Sequence, residues 1–327
     1  MPRSHSTVIC LAILSALMLA GCTEQKSTPI NIAGNNWLGY QPLFAAYEKS
    51  LLRRSKVDDD DHQKLDEVVQ RFSFTRLPST SSVMRAMSNQ QLDGAMLTLD
   101  EAIQFQNKNN MDLCVALVMD YSNGADAFVI NPQKKPALGK AQITIGYEST
   151  ALGAFMLRRA METLAIDSSF VKAVIVEPND HVSAYQSGSV DALITFEPYL
   201  HQLDELGGEV VFSSKHIPNE IMDILVLRTE VWHRKKEDVK QLTDVIWRSG
   251  LEMLQTGNPQ TMEIIRGFSG LSDEAIATGL AGIHLLTPEE NHQLEAGELQ
   301  NIINQMHDYL QSAGLLTGQS RLSVCRE

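Results

Sequence analysis

Four stretches of this 327-residue chain set aromatic or hydroxyl side chains where a short apolar run gives way to a helix-forming one. The first is Asn35-Asn36-Trp37-Leu38-Gly39-Tyr40-Gln41-Pro42. With Gly39 between them, Trp37 and Tyr40 either wall a small molecule or pack the interior. The second, Pro78-Ser79-Thr80-Ser81-Ser82, offers hydroxyls and amides, Ser81 among them, that bind oxygen atoms or merely cap a helix. In the third, Leu97-Thr98-Leu99-Asp100, Thr98 can face a ligand while Asp100 caps. The fourth, Tyr147-Glu148-Ser149-Thr150-Ala151-Leu152-Gly153, lets Ser149 and Thr150 present amides to an anion. One physics underlies all four. Beyond the carboxyl ends of strands in an open α/β sheet, the free N–H groups and positive dipole of the next helix attract polar or anionic groups.

This is binding chemistry, and bond-making signatures are missing. The chain has no GxSxG, HExxH, GxxxxGK[ST] or GxGxxG motif. Its 9 histidines are scattered, Ser149 has no recognisable base, and His284 reads as a core or surface residue. The 4 cysteines include no CxxC, which leaves a structural zinc or thioredoxin-like site without an anchor. Asp58-Asp59-Asp60-Asp61-His62 lacks the turn glycine and ligand spacing of a calcium loop and reads as solvated. No catalytic residue, metal or cofactor is expected, and the chain is not read as an enzyme.

The elements that position these stretches alternate. Strands are expected at 30–33, 71–76, 94–97, 113–119, 127–131, 143–147, 173–177, 192–196, 210–213 and 224–228. Helices are expected at 42–52, 81–89, 99–107, 151–165 and 182–188. That order argues for α/β layers with parallel sheets. After about Val231 only helices are expected, at 236–256, 259–268, 272–280 and 288–310, with Asn258-Pro259 and Thr287-Pro288 as capped starts.

Apolar residues at 43% and charged residues at 20% describe a globular chain, not a disordered one. Lys+Arg is 27 against Asp+Glu 40, a formal net charge of -13, which disfavours nucleic acid as a partner. The first apolar run, Val8 to Ala20, is too short to span a bilayer and follows Arg3, as in a secretory signal. It ends Leu19-Ala20-Gly21-Cys22, which resembles the lipobox of bacterial lipoproteins. That resemblance implies a signal over 1–21, acyl chains on Cys22, and a polar tether over 22–28. Stable anchoring to the bilayer follows from several acyl chains. Thr23 is not the Asp associated with inner-membrane retention, so either membrane is open. Cys114 and Cys325 remain in the mature chain. Cys114 reads as a buried strand thiol, and a disulfide between the two is permitted in an oxidising compartment.

Several motifs carry a wider resemblance. Trp37-Leu38-Gly39-Tyr40-Gln41-Pro42-Leu43 resembles the opening loop of substrate-binding proteins of the nitrate/sulfonate/taurine importer type, including thiamine-pyrimidine binders. Leu92-Asp93-Gly94-Ala95-Met96-Leu97-Thr98-Leu99-Asp100-Glu101-Ala102, Gly124-Ala125-Asp126-Ala127, Gly188-Ser189-Val190-Asp191-Ala192 with Phe196-Glu197-Pro198, and Ile217-Pro218 with Asp223-Ile224-Leu225-Val226-Leu227 are similar to later segments of that family, in the same order. The resemblance implies a type II periplasmic-binding-protein fold: two α/β lobes, two crossover strands, and a C-terminal all-helical segment. Lobe one is expected over 29–125 plus 215–327 and lobe two over 126–214. Asp126 and Asp223 would lie near the crossings. Glu197 would approach the cleft or serve as a structural acid. The implied role is a monomeric, extracytoplasmic binder of a sulfonate, nitrate or pyrimidine-like solute, working with an ABC permease. A sensory lipoprotein paired with a membrane kinase or cyclase is the alternative, and a pyrimidine-forming enzyme the third reading. Arg76 and Arg85 are candidate cationic contacts for an anion.

Overall fold

The alternating apolar runs become two separate sheets in the computed structural model, which describes residues 28–54, 63–318 and 322–326. The signal and Cys22, and the run Asp58 to His62, lie outside the described residues. The first sheet contains β1 (Ile30–Gly34), β2 (Phe72–Arg76), β3 (Gly94–Thr98) and β4 (Leu113–Ser122). The second is made of β5 (Asp126–Ile130), β6 (Ile143–Tyr147), β7 (Val171–Ile175), β8 (Ala192–Phe196) and β9 (Glu209–Ser213). The chain then returns to the first through β10 (Met222–Arg228), β11 (Ile283–Leu285) and β12 (Ser323–Val324). Strand order is β11-β4-β10-β3-β1-β2, with β12 also on β4, in the first sheet, and β7-β6-β8-β5-β9 in the second.

Within each sheet the strands joined through helices run parallel, as β1 does with β2 and β3, and β6 with β7 and β8. The crossing strands run antiparallel: β10 against β3 and β4, and β5 against β8 and β9. The two crossings, Ser122 to Asp126 and Ser213 to Met222, are laced together. Ser122 Oγ lies 2.8 Å from Ser214 Oγ, Gly124 N–H donates to Ser214 Oγ at 2.5 Å, and Asp126 N–H donates to Ser122 Oγ at 3.2 Å.

Helices cover the sheets. They are α1 (Gln41–Arg54), α2 (Gln63–Val69), α3 (Thr80–Ser88), α4 (Leu99–Asn109), α5 (Ala151–Thr163), α6 (His181–Gln186) and α7 (Tyr199–Glu205). The tail adds α8 (Thr229–Gln241), α9 (Arg248–Gln255), α10 (Pro259–Ser269), α11 (Asp273–Ala281), α12 (Pro288–Ala296) and α13 (Leu299–Ser312). One apolar cluster runs from Val115 and Ile224 of the first sheet to Phe128 and Ile145 of the second, so the lobes share a packed seam. The π-helical turn Leu242–Trp247 buries Trp247, whose indole N–H donates to the carbonyl of Leu286 at 2.7 Å. Among the described residues no helix is long and apolar enough to cross a membrane.

The C-terminal segment is not all-helical. β10 pairs with β4 along one edge, from Leu113 to Tyr121, and the other edge of β4 takes short strands at its two ends. Ile283–Leu285 fills one end antiparallel, and Ser323–Val324 fills the other in parallel. A disulfide between Cys114 and Cys325, with Cα atoms 4.9 Å apart, fastens the second. The expected helix over 288–310 is two, broken at Gly297, and the one over 236–256 is interrupted by the π turn. α2 and α7 were not anticipated. β7 lies two residues earlier than expected, because register with β6 pairs Val171 with Ile143.

Candidate functional site

The loop after β1 is held from beneath and from the side. Asn35 accepts the N–H of Trp37 at 2.9 Å and donates through Nδ2 to Thr80 Oγ1 at 2.9 Å, which ties it to the start of α3. Gln41 Nε2 donates to the carbonyl of Trp37 at 2.8 Å, and Gln41 Oε1 accepts from Arg76 at 3.0 Å. Arg76 also pairs with Glu48 and lies over the rings of Phe44 and Phe268 at 4.2 and 4.6 Å. Burial lowers its guanidinium to about 10. Arg76 therefore braces the Trp37 loop and is not turned toward a ligand.

With the loop so placed, both aromatic donors meet carboxylates. Trp37 Nε1 donates to Asp120 at 3.2 and 3.3 Å, and Tyr40 OH donates to Asp223 Oδ1 at 2.5 Å. Asp120 and Asp223 face one another across β4 and β10. A Cβ on Gly39 would come within 2.0 Å of Asp120 Oδ2 and 2.4 Å of Trp37 Nε1, so only glycine leaves room for this contact. Burial raises both carboxyls above their ordinary range; the charge of Asp120 raises Asp223 further, whereas the hydrogen bond with Asp223 acts to lower Asp120. Tyr40 is pushed up by burial and then by Asp223.

The next wall is the start of α4. Glu101 Oε2 accepts the N–H of Thr98 at 3.1 Å and the Thr98 side chain accepts the N–H of Glu101, a capping box that opens α4. The second lobe closes the space with Asp126 at the start of β5, Glu148 after β6, Leu152 in α5, and Phe196 at the end of β8. Ser81 N–H donates across to Glu148 Oε1 at 3.0 Å. Phe196 meets the Trp37 ring edge-on, 6.1 Å between centroids and 70° between planes. Burial raises Asp126 and Glu148 to about 7 each.

These groups enclose an inner cavity of about 20 Å³ between the lobes. Its lining includes the carboxylates of Glu101, Asp126, Glu148 and Asp223 and no Lys, Arg or His. An outer cavity of about 680 Å³, lined by Ser81, Arg85, Lys108, Ser149 and Thr150, shares Glu101 with it.

The sequence-derived residues thus divide. Trp37, Tyr40, Thr98 and Asp126 meet at the inner cavity; Ser81, Ser149 and Thr150 line the outer one. Gly39 lies under Trp37 and outside both linings. Glu197 is buried beside the inner cavity, accepts the N–H of His201 at 3.3 Å, and is raised to about 7 by burial; its neighbour Phe196 lines the cavity instead. Glu101, Glu148 and Asp223 were not singled out as ligand contacts. Glu148 and Glu101 flank stretches that were, but Asp223 joins them only through the pairing of β10 with β3 and β4.

No nucleophile–base pair occupies the inner cavity. His181 is buried elsewhere, 2.9 Å from Thr195 Oγ1, and burial lowers it to about 4, which keeps it neutral. Among the described residues no three His, Cys, Asp or Glu side chains are arranged to hold a metal ion.

The family model described as the NMT1-like family matches residues 23–265. The chain belongs to the NMT1-like family. No curated protein sequence matches it. Among solved structures, the alkanesulfonate-binding protein SsuA from Xanthomonas axonopodis pv. citri, bound to MOPS, is similar to this NMT1-like chain at 12% identity. The alignment covers 90% of this chain and 96% of that one, with a TM-score of 0.69. The periplasmic aliphatic sulphonate-binding protein SsuA from Escherichia coli is 13% identical over 90% and 95% of the two chains, TM-score 0.66. The desulfurization enzyme DSZB is 12% identical over 90% and 95%, TM-score 0.62. At these identities the NMT1-like chain shares with them its fold: two α/β lobes joined by two crossings.

Proposed function

We propose that this NMT1-like protein is an extracytoplasmic solute-binding protein that grips a small molecule between its lobes and delivers it, unchanged, to an ABC permease. The observation that carries the reading is the inner cavity. It lies beyond the carboxyl ends of β1, β3, β6 and β8, drawn from both sheets, where open α/β folds collect ligands. At about 20 Å³ it holds roughly one water, so a solute of several heavy atoms enters only if the lobes part. A ligand touching both lobes then favours closure by its additional contacts. We read lobe one as about 29–125 plus 215–327 and lobe two as about 126–214, hinged at the Ser122–Ser214 lacing. That two of its structural neighbours are sulfonate-binding proteins supports a solute-binding role.

Catalysis has less support. DSZB shares the fold, but both cysteines among the described residues of this chain are joined in a disulfide, which leaves no thiol there. The sensory alternative rests on Thr23, which leaves an outer-membrane anchor open.

The test is small-angle scattering and thermal shift on the purified chain across sulfonates, nitrate, pyrimidines and amines. A ligand at a hundred times its dissociation constant adds about 2.7 kcal/mol, enough to move a melting curve by a few degrees. A binder that shrinks the radius of gyration supports the clamp; turnover of any of them overturns it. Lipid anchoring is tested by Cys22→Ala, which should release the protein from membranes into the soluble fraction; continued membrane fractionation refutes it.

A further inference from the structure

We propose that α13, the last helix of the tail, is a clasp on the closed form: through Tyr309 it grips lobe two, and the lobes part only when that grip gives way. This rests on the two-lobed clamp proposed above. The tail belongs with lobe one. α13 packs on α4, and the chain beyond it returns to β4 through β12 and the Cys114–Cys325 disulfide. Tyr309 nevertheless reaches lobe two, where its ring meets Phe155 of α5 edge-on, 5.5 Å between centroids and 76° between planes. The Arg159 guanidinium lies 5.9 Å from the centroid of the same ring. Arg159 is itself held, by Glu220 of the second crossing at 2.8 and 2.7 Å and by Glu162 at 2.9 Å. The tail of lobe one, the long helix of lobe two and the crossing therefore meet at one ring.

Movement at this ring is tied to the inner cavity. Leu152, which lines that cavity, and then Phe155 and Arg159 stand at i, i+3 and i+7 on α5, one face of a helix. α4 contributes Glu101 to the cavity and packs across the lobes on α5. Because α5 moves as one rigid element, a hinge motion that widens the cavity at Leu152 also draws Phe155 away from Tyr309. Beside the contact, a cavity of about 250 Å³ lined by Leu99, Met222 and Met306 lies between the same elements. Side chains facing a void forfeit partners on that side, which concentrates the grip at Tyr309. Its hydroxyl is buried without a hydrogen-bond partner among the described residues, so the grip is made by the ring. Tyr309, Phe155 and Arg159 line neither the inner nor the outer cavity, so the clasp can be altered without touching the solute's walls.

The experiment measures how fast a maleimide labels a thiol placed in the inner cavity of the solute-free full chain. Thr98→Cys supplies the thiol, since Thr98 is 3% exposed and lines that cavity. Cys10→Ser and Cys22→Ala, with Cys114 and Cys325 joined, leave it without a competitor. In a parallel chain Ser50→Cys, at a residue 0% exposed on α1, reports general unfolding instead. Tyr309→Leu and Phe155→Leu reach the contact from its two sides and keep apolar volume. Each is expected to speed labelling at position 98 about fivefold or more, as loss of an aromatic pair implies, with labelling at position 50 unchanged. Tyr309→Phe keeps the ring and should stay within about twofold of wild type. Unchanged labelling at position 98 in both leucine variants overturns the clasp, and so does an equal acceleration at position 50. If labelling is unchanged while a solute still shrinks the radius of gyration, the clasp falls and the clamp stands. If labelling quickens while no solute in the panel binds, the clasp stands and the solute-binding role falls.

Discussion

Trp37 illustrates how one side chain serves structure and site together. It is 4% exposed, its backbone carbonyl and N–H are held by Gln41 and Asn35, and its indole N–H is the donor that Asp120 keeps in a fully buried position. Trp37→Phe keeps most of the ring and deletes that donor, which leaves the Asp120 carboxyl short of a partner. The expected cost is about 1–3 kcal/mol in denaturant unfolding. Tyr40→Phe should act in the same sense through Asp223, whose carboxyl loses its 2.5 Å donor. Equal stability of both variants and wild type would mean that these carboxyls are satisfied elsewhere. The aromatic pair and Thr98 were legible from their place between apolar runs. That their donors would be spent on acids 83 and 183 residues away was not, because nothing local marks those partners.

Elements show a different balance. Helix starts at Asn258-Pro259 and Thr287-Pro288 were readable, and both caps form: Asn258 accepts from Gln260 and Thr261, and Thr287 trades hydrogen bonds with Glu290. Strands β11 and β12 were not readable, being three and two residues long and formed only because β4 offers them an edge. β12 is kept there by Cys325, whose N–H donates to the Val115 carbonyl at 2.9 Å and whose sulfur bonds Cys114. Closing a loop of 211 residues removes much chain entropy from the unfolded state. Cys325→Ser, or reduction, should therefore lower stability by about 2–5 kcal/mol and speed amide exchange at residues 323–325. Undiminished stability under reductant would show that strand pairing alone holds the C-terminus.

At the scale of the whole molecule, acids concentrate where the lobes meet. Asp126 faces Asp100 and Glu197, Glu148 faces Glu177, and Glu197 faces Asp204 and His201; Glu101, Asp120 and Asp223 stand close by. Burial leads in raising Asp126, Glu148 and Glu197 to about 7, above the usual carboxylate range near 4. The folded state therefore binds more protons than the unfolded one between about pH 4 and pH 7. Their protonation supports the fold fully below the unfolded value, and that support is lost as pH rises through the folded one. The stability advantage of Asp126→Asn over wild type should accordingly widen from pH 5 to pH 8, read as a growing difference in melting temperature. A constant difference would mean that Asp126 does not titrate in that window.

Local pattern was enough to determine the alternation of strands and helices, the order of the family segments, and the loops that end near the cavity, because periodicity, caps and glycines act over a few residues. It could not determine that Asp126, Asp223, Glu101 and Glu148 face one another, or that Arg76 is tied off behind Trp37. Those follow from two chain crossings and the pairing of β10 between β3 and β4, and charge is felt through space rather than along the chain. Which side chains share the cavity was decided only when the two sheets met.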